Sequence, residues 1–281
     1  MNTLKNTDNR LADLHIHSFY SDGTMSPMEI LRESMAKGVG CVAITDHNEI
    51  KGSIEMQELC NGTSMINIPG VELDIIEDGI NFHILGFDLD FTNTEFLKLL
   101  ERNKELLEDV NIKLIQKMEQ NSEDVSLKEY NQFNYERSKG GWKALHYFMY
   151  KGLTSTLQEG FNIYQNYNHS YTCVDFPTLS EITKVIHLAG GKAVLAHPGR
   201  VIKYKDLVEF ELEIRLLLTK ELDGIECYYP SHSKEVTDIC LKICKEKNLI
   251  ITGGSDCHGE FEDTTIGENK IQIRDLVIMR K

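Results

Sequence analysis

Short apolar runs alternate with helical patterns over residues 11–87. Leu11–Ile16 reads as a strand, and Ser21-Asp22-Gly23 reads as the turn that follows it. Ser26-Pro27-Met28-Glu29 is a helix start, with serine at the N-cap, proline at the first helical position and glutamate at the third. Ile30, Leu31, Ser34 and Met35 then recur at helical spacing until Gly38 stops the helix. Residues 41–45, 65–71 and 82–87 are three further apolar runs, each of strand length. Strand–helix–strand order with short connections predicts a parallel α/β sheet or barrel. The pattern changes over residues 94–170. Thr94–Gln120 is long, charge-rich and amphipathic, residues 139–167 are helical and aromatic with interspersed glycines, and no strand pattern occurs. This predicts a helical insertion. The α/β rhythm returns with helices over 179–189, 206–219 and 234–247, and strands over 193–196, 224–227 and 249–252.

Composition narrows the classes. The 281 residues carry 30 basic and 44 acidic side chains, a net charge of −14, with 41% hydrophobic and 26% charged residues. These are globular values. The acidity argues against duplex nucleic acid or anionic lipid as a broad electrostatic partner. Seven scattered cysteines without a CxxC pair read as reduced thiols, the start is polar, and no apolar run reaches membrane-spanning length. A cytoplasmic protein with no membrane partner is expected.

The chemistry lies in the histidines, most of which follow a predicted strand, where parallel α/β folds gather their functional groups. Asp13-Leu14-His15-Ile16-His17 places two imidazoles two residues apart on a strand, and therefore on one face. Asp22 sits in the next turn, and His47 ends the second strand. Glu72 ends the third, His83 lies on the fourth, and His197 follows 193–196 in Ala-His-Pro-Gly. Asp256 and His258 follow the last strand in Ser-Asp-Cys-His. Nine such groups at successive strand ends point to a site for several metal ions. Cys257, inside the last motif, reads as a buried strand-end residue rather than a nucleophile.

Six segments carry a resemblance: 13–27 (DLHIHSFYSDGTMSP), 43–48 (AITDHN), 69–73 (PGVEL), 82–87 (FHILGF), 190–200 (GGKAVLAHPGR) and 254–259 (GSDCHG). In content and order they resemble the polymerase-and-histidinol-phosphatase (PHP) superfamily of metal-dependent phosphoesterases. The chain is most similar to the stand-alone members that act on nucleotides and short RNA and carry a helical insertion. The resemblance implies an α/β fold, a distorted (β/α)7 TIM-like barrel, formed by residues 1–93 and 171–281, with 94–170 as a substrate-recognition cap. It implies two or three divalent ions (Mn, Fe or Zn). His15, His17, Glu72 and Asp256 would hold the first, Glu72 would bridge to a second completed by His83 and His197, and Asp22, His47 and His258 would hold a third. Imidazole and carboxylate without thiolate suit these metals better than Ca²⁺ or Cu⁺.

The expected reaction is hydrolysis of a phosphate ester of a small metabolite or nucleotide by hydroxide shared between two cations, with Asp256 and Glu72 at the centre. Alternatives are a 5′–3′ exonuclease on short oligonucleotides and a non-catalytic module of a replication assembly. Arg200 is the expected phosphate-gripping residue. Arg137, Lys139 and Lys143 are further cations for the pocket, and Trp142 is a residue for base stacking or helix packing. The insertion departs from its relatives. An Arg-x-His helix start is replaced by Arg137-Ser-Lys-Gly-Gly-Trp142, and a Gly-Lys-Pro-x-Tyr-Val stretch by Asn166-Tyr-Asn-His169-Ser-Tyr171-Thr-Cys-Val174, with His169 near the place of the lysine.

Overall fold

In a computed structural model, residues 9–121 and 123–278 are described. The polar start and the outermost ends of the expected domains lie outside them. The first three strands form a parallel sheet in the order β1-β2-β3. They are β1 (Leu11–Ile16), β2 (Val39–Ile44) and the short β3 (Ile66–Asn67), separated by α1 (Pro27–Ala36) and α2 (Lys51–Cys60). The start of α1 is the expected capping box: Ser26 Oγ accepts from the Glu29 N–H, and Glu29 Oε2 accepts from the Ser26 N–H. Past its end, Gly38 takes the left-handed backbone conformation, at φ 73°.

The second sheet corrects two expectations. Residues 65–71 are not one strand. Ile66–Asn67 pairs with β2, and after Pro69 the chain begins β4 (Gly70–Glu77) in another sheet. Nor are all pairs parallel: β4 and β5 (Ile80–Phe87) form an antiparallel hairpin in which Glu77 faces Ile80. Its two-residue loop, Asp78-Gly79, has φ values of 49° and 76°, the positive pair that a type I′ turn requires and Asp-Gly supplies. Because β5 runs backwards, its pairing with β6 (Lys192–Leu195) is also antiparallel. The parallel pairs resume with β7 (Gly224–Tyr228) and β8 (Ile250–Gly253). Glu72 therefore sits third in β4 rather than at a strand end.

Between β5 and β6 come α3 (Thr94–Gln120), α4 (Leu127–Gln132), α5 (Lys143–Tyr150), α6 (Gly160–Asn166) and α7 (Leu179–Leu188). The first matches the expected bounds, while the expected helical stretch over 139–167 is broken into two short helices. After β6 come α8 (Pro198–Val201), α9 (Leu207–Leu217) and, between β7 and β8, α10 (Lys234–Lys247).

The hydrogen-bonded ladders of the described residues form two sheets and not one closed barrel. Isolated bridges, Ile16 with Cys257 and His47 with Glu72, join their edges. A shared core containing Leu14 and Ala43 from one sheet and Leu85 and Val194 from the other packs between them. The helices α7, α9 and α10 cover the outer face of the second sheet, and α1 and α2 cover the first. The insertion has its own core, with Leu114, Tyr130, Leu145 and Phe148 packed around Phe261, which comes from the segment after β8. Among the described residues no helix is long and apolar enough to cross a membrane.

Candidate metal centre

All nine expected groups converge where the two edge bridges lie. The strand periodicity puts His15 and His17 on one face, with ring centroids 5.2 Å apart. The reversal of β5 brings His83 opposite Asp74 on β4. His197 and Asp256 leave their strands in left-handed backbone conformations, at φ 32° and 54°, and turn back toward the cluster.

Glu72 is the hub. Five imidazoles approach its carboxylate: His15, His17 and His47 reach Oε2 at 3.2, 3.1 and 3.4 Å, and His83 and His197 reach Oε1 at 3.0 and 3.1 Å. Asp256 Oδ1 adds contacts to His15 and His17 at 3.3 and 3.1 Å. Asp22 lies 3.4 Å from His258 and 3.5 Å from His17. The side chains are buried, His83 being the most open of the nine at 22%.

Three overlapping groups have ligand atoms mutually within 4.8 Å: His15, His17, Glu72 and Asp256; His17, Asp22, His47 and His258; and His47, Glu72 and His83. The first is the expected quartet. The second adds His17 to the expected trio. In the third, His47 stands beside Glu72 and His83, while His197 touches the Oε1 side of Glu72.

The donors fit divalent cations. His15 Nε2, His17 Nε2, Asp22 Oδ1, His47 Nδ1, Glu72 Oε2 and His197 Nδ1 are buried without a hydrogen-bond partner. Leaving so many buried polar atoms unpaired is costly unless something binds them. The set is imidazole and carboxylate throughout, the donors that first-row divalent ions take.

In the protein alone, protons do part of a cation's work. Burial would push the His15 imidazole down, but Glu226, Glu72 and Asp256 outweigh it and hold it well above its usual range. His83 and His258 are likewise raised against burial, to about 10 by Glu72 and Asp74, and to about 9 chiefly by Asp22. Burial would raise Glu72 and Asp256, yet the surrounding imidazoles hold both well below the ordinary carboxylate range. A bound cation competes with these protons.

Four buried carboxylates outside the expected set support the cluster. Glu226 on β7 accepts from His15 Nδ1 at 3.0 Å and from the His197 backbone N–H at 2.8 Å. Holding the proton on Nδ1 leaves Nε2 of His15 as a lone-pair donor facing the cluster. Asp74 faces His83 and His47 and accepts from Asn48 Nδ2 at 2.7 Å. Asp46 accepts from the Ser18 N–H and from the Ser18 and Ser21 hydroxyls, and Asp13 from the Ser255 and Gly267 N–H groups. Burial lifts both of these last carboxyls to about 6. Asp74 had a sequence signal, since it follows Glu72 by two on a strand. Glu226 had none beyond its place in a strand.

Residues 13–251 match the model of the PHP domain. The chain belongs to the PHP domain family. It is 28% identical to a 5′-3′ exoribonuclease of Haemophilus influenzae, over 95% of this chain and 96% of the relative. It is 25% identical to a phosphoribosyl 1,2-cyclic phosphate 1,2-diphosphodiesterase of Eggerthella lenta, over 89% and 95%. In fold it is similar to a candidate metal-dependent phosphoesterase of Bifidobacterium adolescentis, with a TM-score of 0.75 and 22% identity over 92% of this chain and 91% of that one.

In this PHP domain the expected cations divide. Arg200 reaches the cluster. Its Nη1 donates to Asp256 Oδ2 and to the Tyr229 hydroxyl, both at 2.8 Å, and Tyr229 donates to the same Oδ2 at 2.9 Å. Asp256 Oδ2 is thus held from outside while Oδ1 faces the histidines. Tyr229 is a site residue the sequence reading missed. Arg137 Nη1 donates to the Tyr20 carbonyl, beside the cluster's first loop. Lys143 lies 4.3 Å over the Tyr130 ring with Glu108 as its ion partner, and His169 donates to the Val110 carbonyl. Among the described residues, no hydrogen bond or ion pair links Lys143 or His169 to the cluster. Lys139 faces Glu136 on the surface. Cys257 is buried, and burial pushes its thiol up to about 12, so it stays protonated.

Proposed function

We propose that this PHP domain is a metal-dependent phosphoesterase that hydrolyses a phosphate ester of a small phosphorylated metabolite or nucleotide. The convergence of five imidazoles on the Glu72 carboxylate, with Asp256 alongside, carries the reading. His15, His17, Asp22, His47, Glu72, His83, His197, Asp256 and His258 would hold two or three divalent ions of Mn, Fe or Zn. When bound, such ions lower the pKa of water and neutralise phosphoryl charge. Glu72, shared between ligand groups, sets their spacing. Asp256, locked on its outer oxygen by Arg200 and Tyr229, accepts the proton of the attacking water through Oδ1. The half-exposed Arg200 guanidinium has donors left for phosphoryl oxygens.

We read residues 94–170 as the substrate-recognition cap on a domain made of 1–93 and 171–281. The support is the Gly141 N–H, which donates to the Asp22 carbonyl at 2.7 Å. The two bridged sheets are, on this reading, halves of one distorted barrel. The seven scattered cysteines, with no CxxC pair among them, support a reducing compartment, the cytoplasm.

The test is protein stripped of metal and reloaded separately with Mn²⁺, Fe²⁺ or Zn²⁺. Each form is assayed for phosphate release from phosphomonoesters, nucleoside bisphosphates, cyclic diesters and short RNA. Turnover that requires metal and falls at least about 10³-fold in Glu72→Ala is expected. No release from any compound by loaded protein overturns the proposal. A second reading, 5′-3′ trimming of short RNA, is favoured by the near-full-length likeness to the Haemophilus influenzae exoribonuclease. Release of 5′-mononucleotides in preference to phosphate from the monoesters would select it.

A further inference from the structure

We infer that Trp142 is a stacking face for the organic part of the substrate, which selects phosphate esters bearing a flat aromatic group such as a nucleobase. The inference rests on the phosphoesterase reading and names its substrate class. The half-buried Trp142 indole lies beside His47, with ring centroids 5.5 Å apart and planes inclined by 57°. His47 belongs to two of the three ligand groups. The indole therefore borders the place where a bound phosphoryl group would sit.

Its position is built by the backbone. Gly140 and Gly141 both have φ 68°. A β-carbon on Gly140 would come within 2.8 Å of Phe261 Cβ and 3.0 Å of the Asp22 carbonyl oxygen, and one on Gly141 within 2.8 Å of the Phe261 ring. Only glycine at both positions allows this approach without strain. The Gly141 N–H to Asp22 bond and a 2.7 Å bond from His146 Nε2 to the Gly140 carbonyl fix the turn. The insertion thus reaches the ligand cluster through a rigid turn that delivers an indole.

It delivers little free charge there. Lys143 is committed to Glu108 and the Tyr130 ring, and Arg137 to the Tyr20 carbonyl. An aromatic face of this kind attracts flat π systems whatever their hydrogen-bonding edge. Substrates are sorted, then, by whether the ester carries an aromatic ring.

Trp142 is the single tryptophan of the chain, so intrinsic fluorescence reports on this position. Metal-loaded protein is titrated with adenosine 5′-monophosphate and, separately, with ribose 5-phosphate. Saturable quenching by the nucleotide and none by the sugar phosphate is expected. In parallel, the ratio of kcat/KM for the nucleotide to that for the sugar phosphate falls about tenfold in Trp142→Ala and recovers in Trp142→Phe, mainly through KM. Equal quenching by both compounds, or an unchanged ratio in Trp142→Ala, overturns the inference. If the nucleotide alone quenches but no compound of the full panel (phosphomonoesters, nucleoside bisphosphates, cyclic diesters and short RNA) releases phosphate, the phosphoesterase reading fails and the stacking face stands.

Discussion

Replacing Glu226 by glutamine changes one atom's chemistry and tests how the cluster is oriented. The carboxylate is fully buried and accepts two bonds, from His15 Nδ1 at 3.0 Å and from the His197 backbone N–H at 2.8 Å. The backbone group can only donate, so the amide oxygen of glutamine must face it. The amide nitrogen then faces His15 Nδ1, which can relieve the donor–donor clash only by giving up its proton. His15 becomes the Nε2–H tautomer, and the lone pair aimed at Glu72 and Asp256 is lost. Removing such an orienting partner typically weakens metal binding about 10–100-fold, or about 1.4–2.8 kcal/mol. The assay is competition of each metal between the protein and a chromophoric chelator, for wild type, Glu226→Gln, His15→Ala and the double variant. The double variant should bind scarcely more weakly than His15→Ala, because Glu226 acts through that ring and, less directly, through His197. Wild-type affinity in Glu226→Gln, or fully additive losses in the double variant, would refute the tautomer argument.

Two further outcomes concern stability. Asp223 accepts from the Ala193 N–H at 2.9 Å and pairs with His187 and Lys192 at 2.7 and 2.9 Å; these partners outweigh burial and lower its pKa. A carboxylate depressed in the folded state stabilises above its unfolded pKa and loses that contribution as pH falls through the folded value. Asp223→Asn should therefore cost about 1–2 kcal/mol in urea unfolding at pH 7, and its deficit should shrink below about pH 4; a deficit that grows with acid would contradict the assignment. In α2, alanine ordinarily stabilises over glycine by about 1 kcal/mol. At Gly52, however, the added β-carbon would lie 2.2 Å from Asp46 Oδ2 and 2.6 Å from Ser18 Oγ. Gly52→Ala should thus lower stability by about 1–3 kcal/mol, and a neutral or raised melting temperature would show that the Asp46 loop yields.

Much of the architecture was legible because it is written at short range. The bounds of α3, the capping box at Ser26, and the common face of His15 and His17 follow from short motifs and from periods of 3.6 and 2 within single elements. The order of the metal motifs was equally readable. The hairpin at Asp78-Gly79 is also local and carries a known turn signature, but strand–helix–strand alternation around it reads as a parallel rhythm that the hairpin breaks. That single reversal made two of the sheet's pairings antiparallel, while the break at Pro69 put Glu72 inside β4 rather than at a strand end.

Sequence by itself determined which side chains can bind a cation and, through local periodicity, which of them share a face. The tertiary structure alone decided their company. His15 and Glu226 are 211 residues apart, and no local pattern links them; Tyr229 and Arg200 meet on one oxygen of Asp256 only after three loops converge. The same holds for the insertion, whose cations the sequence offered to the pocket. Packing pairs Lys143 with Glu108 and seats His169 on the Val110 carbonyl, leaving Trp142 beside His47. Residue type limits what a group can do, but a buried charge takes whichever partner the fold brings within reach, because leaving it unpaired costs more.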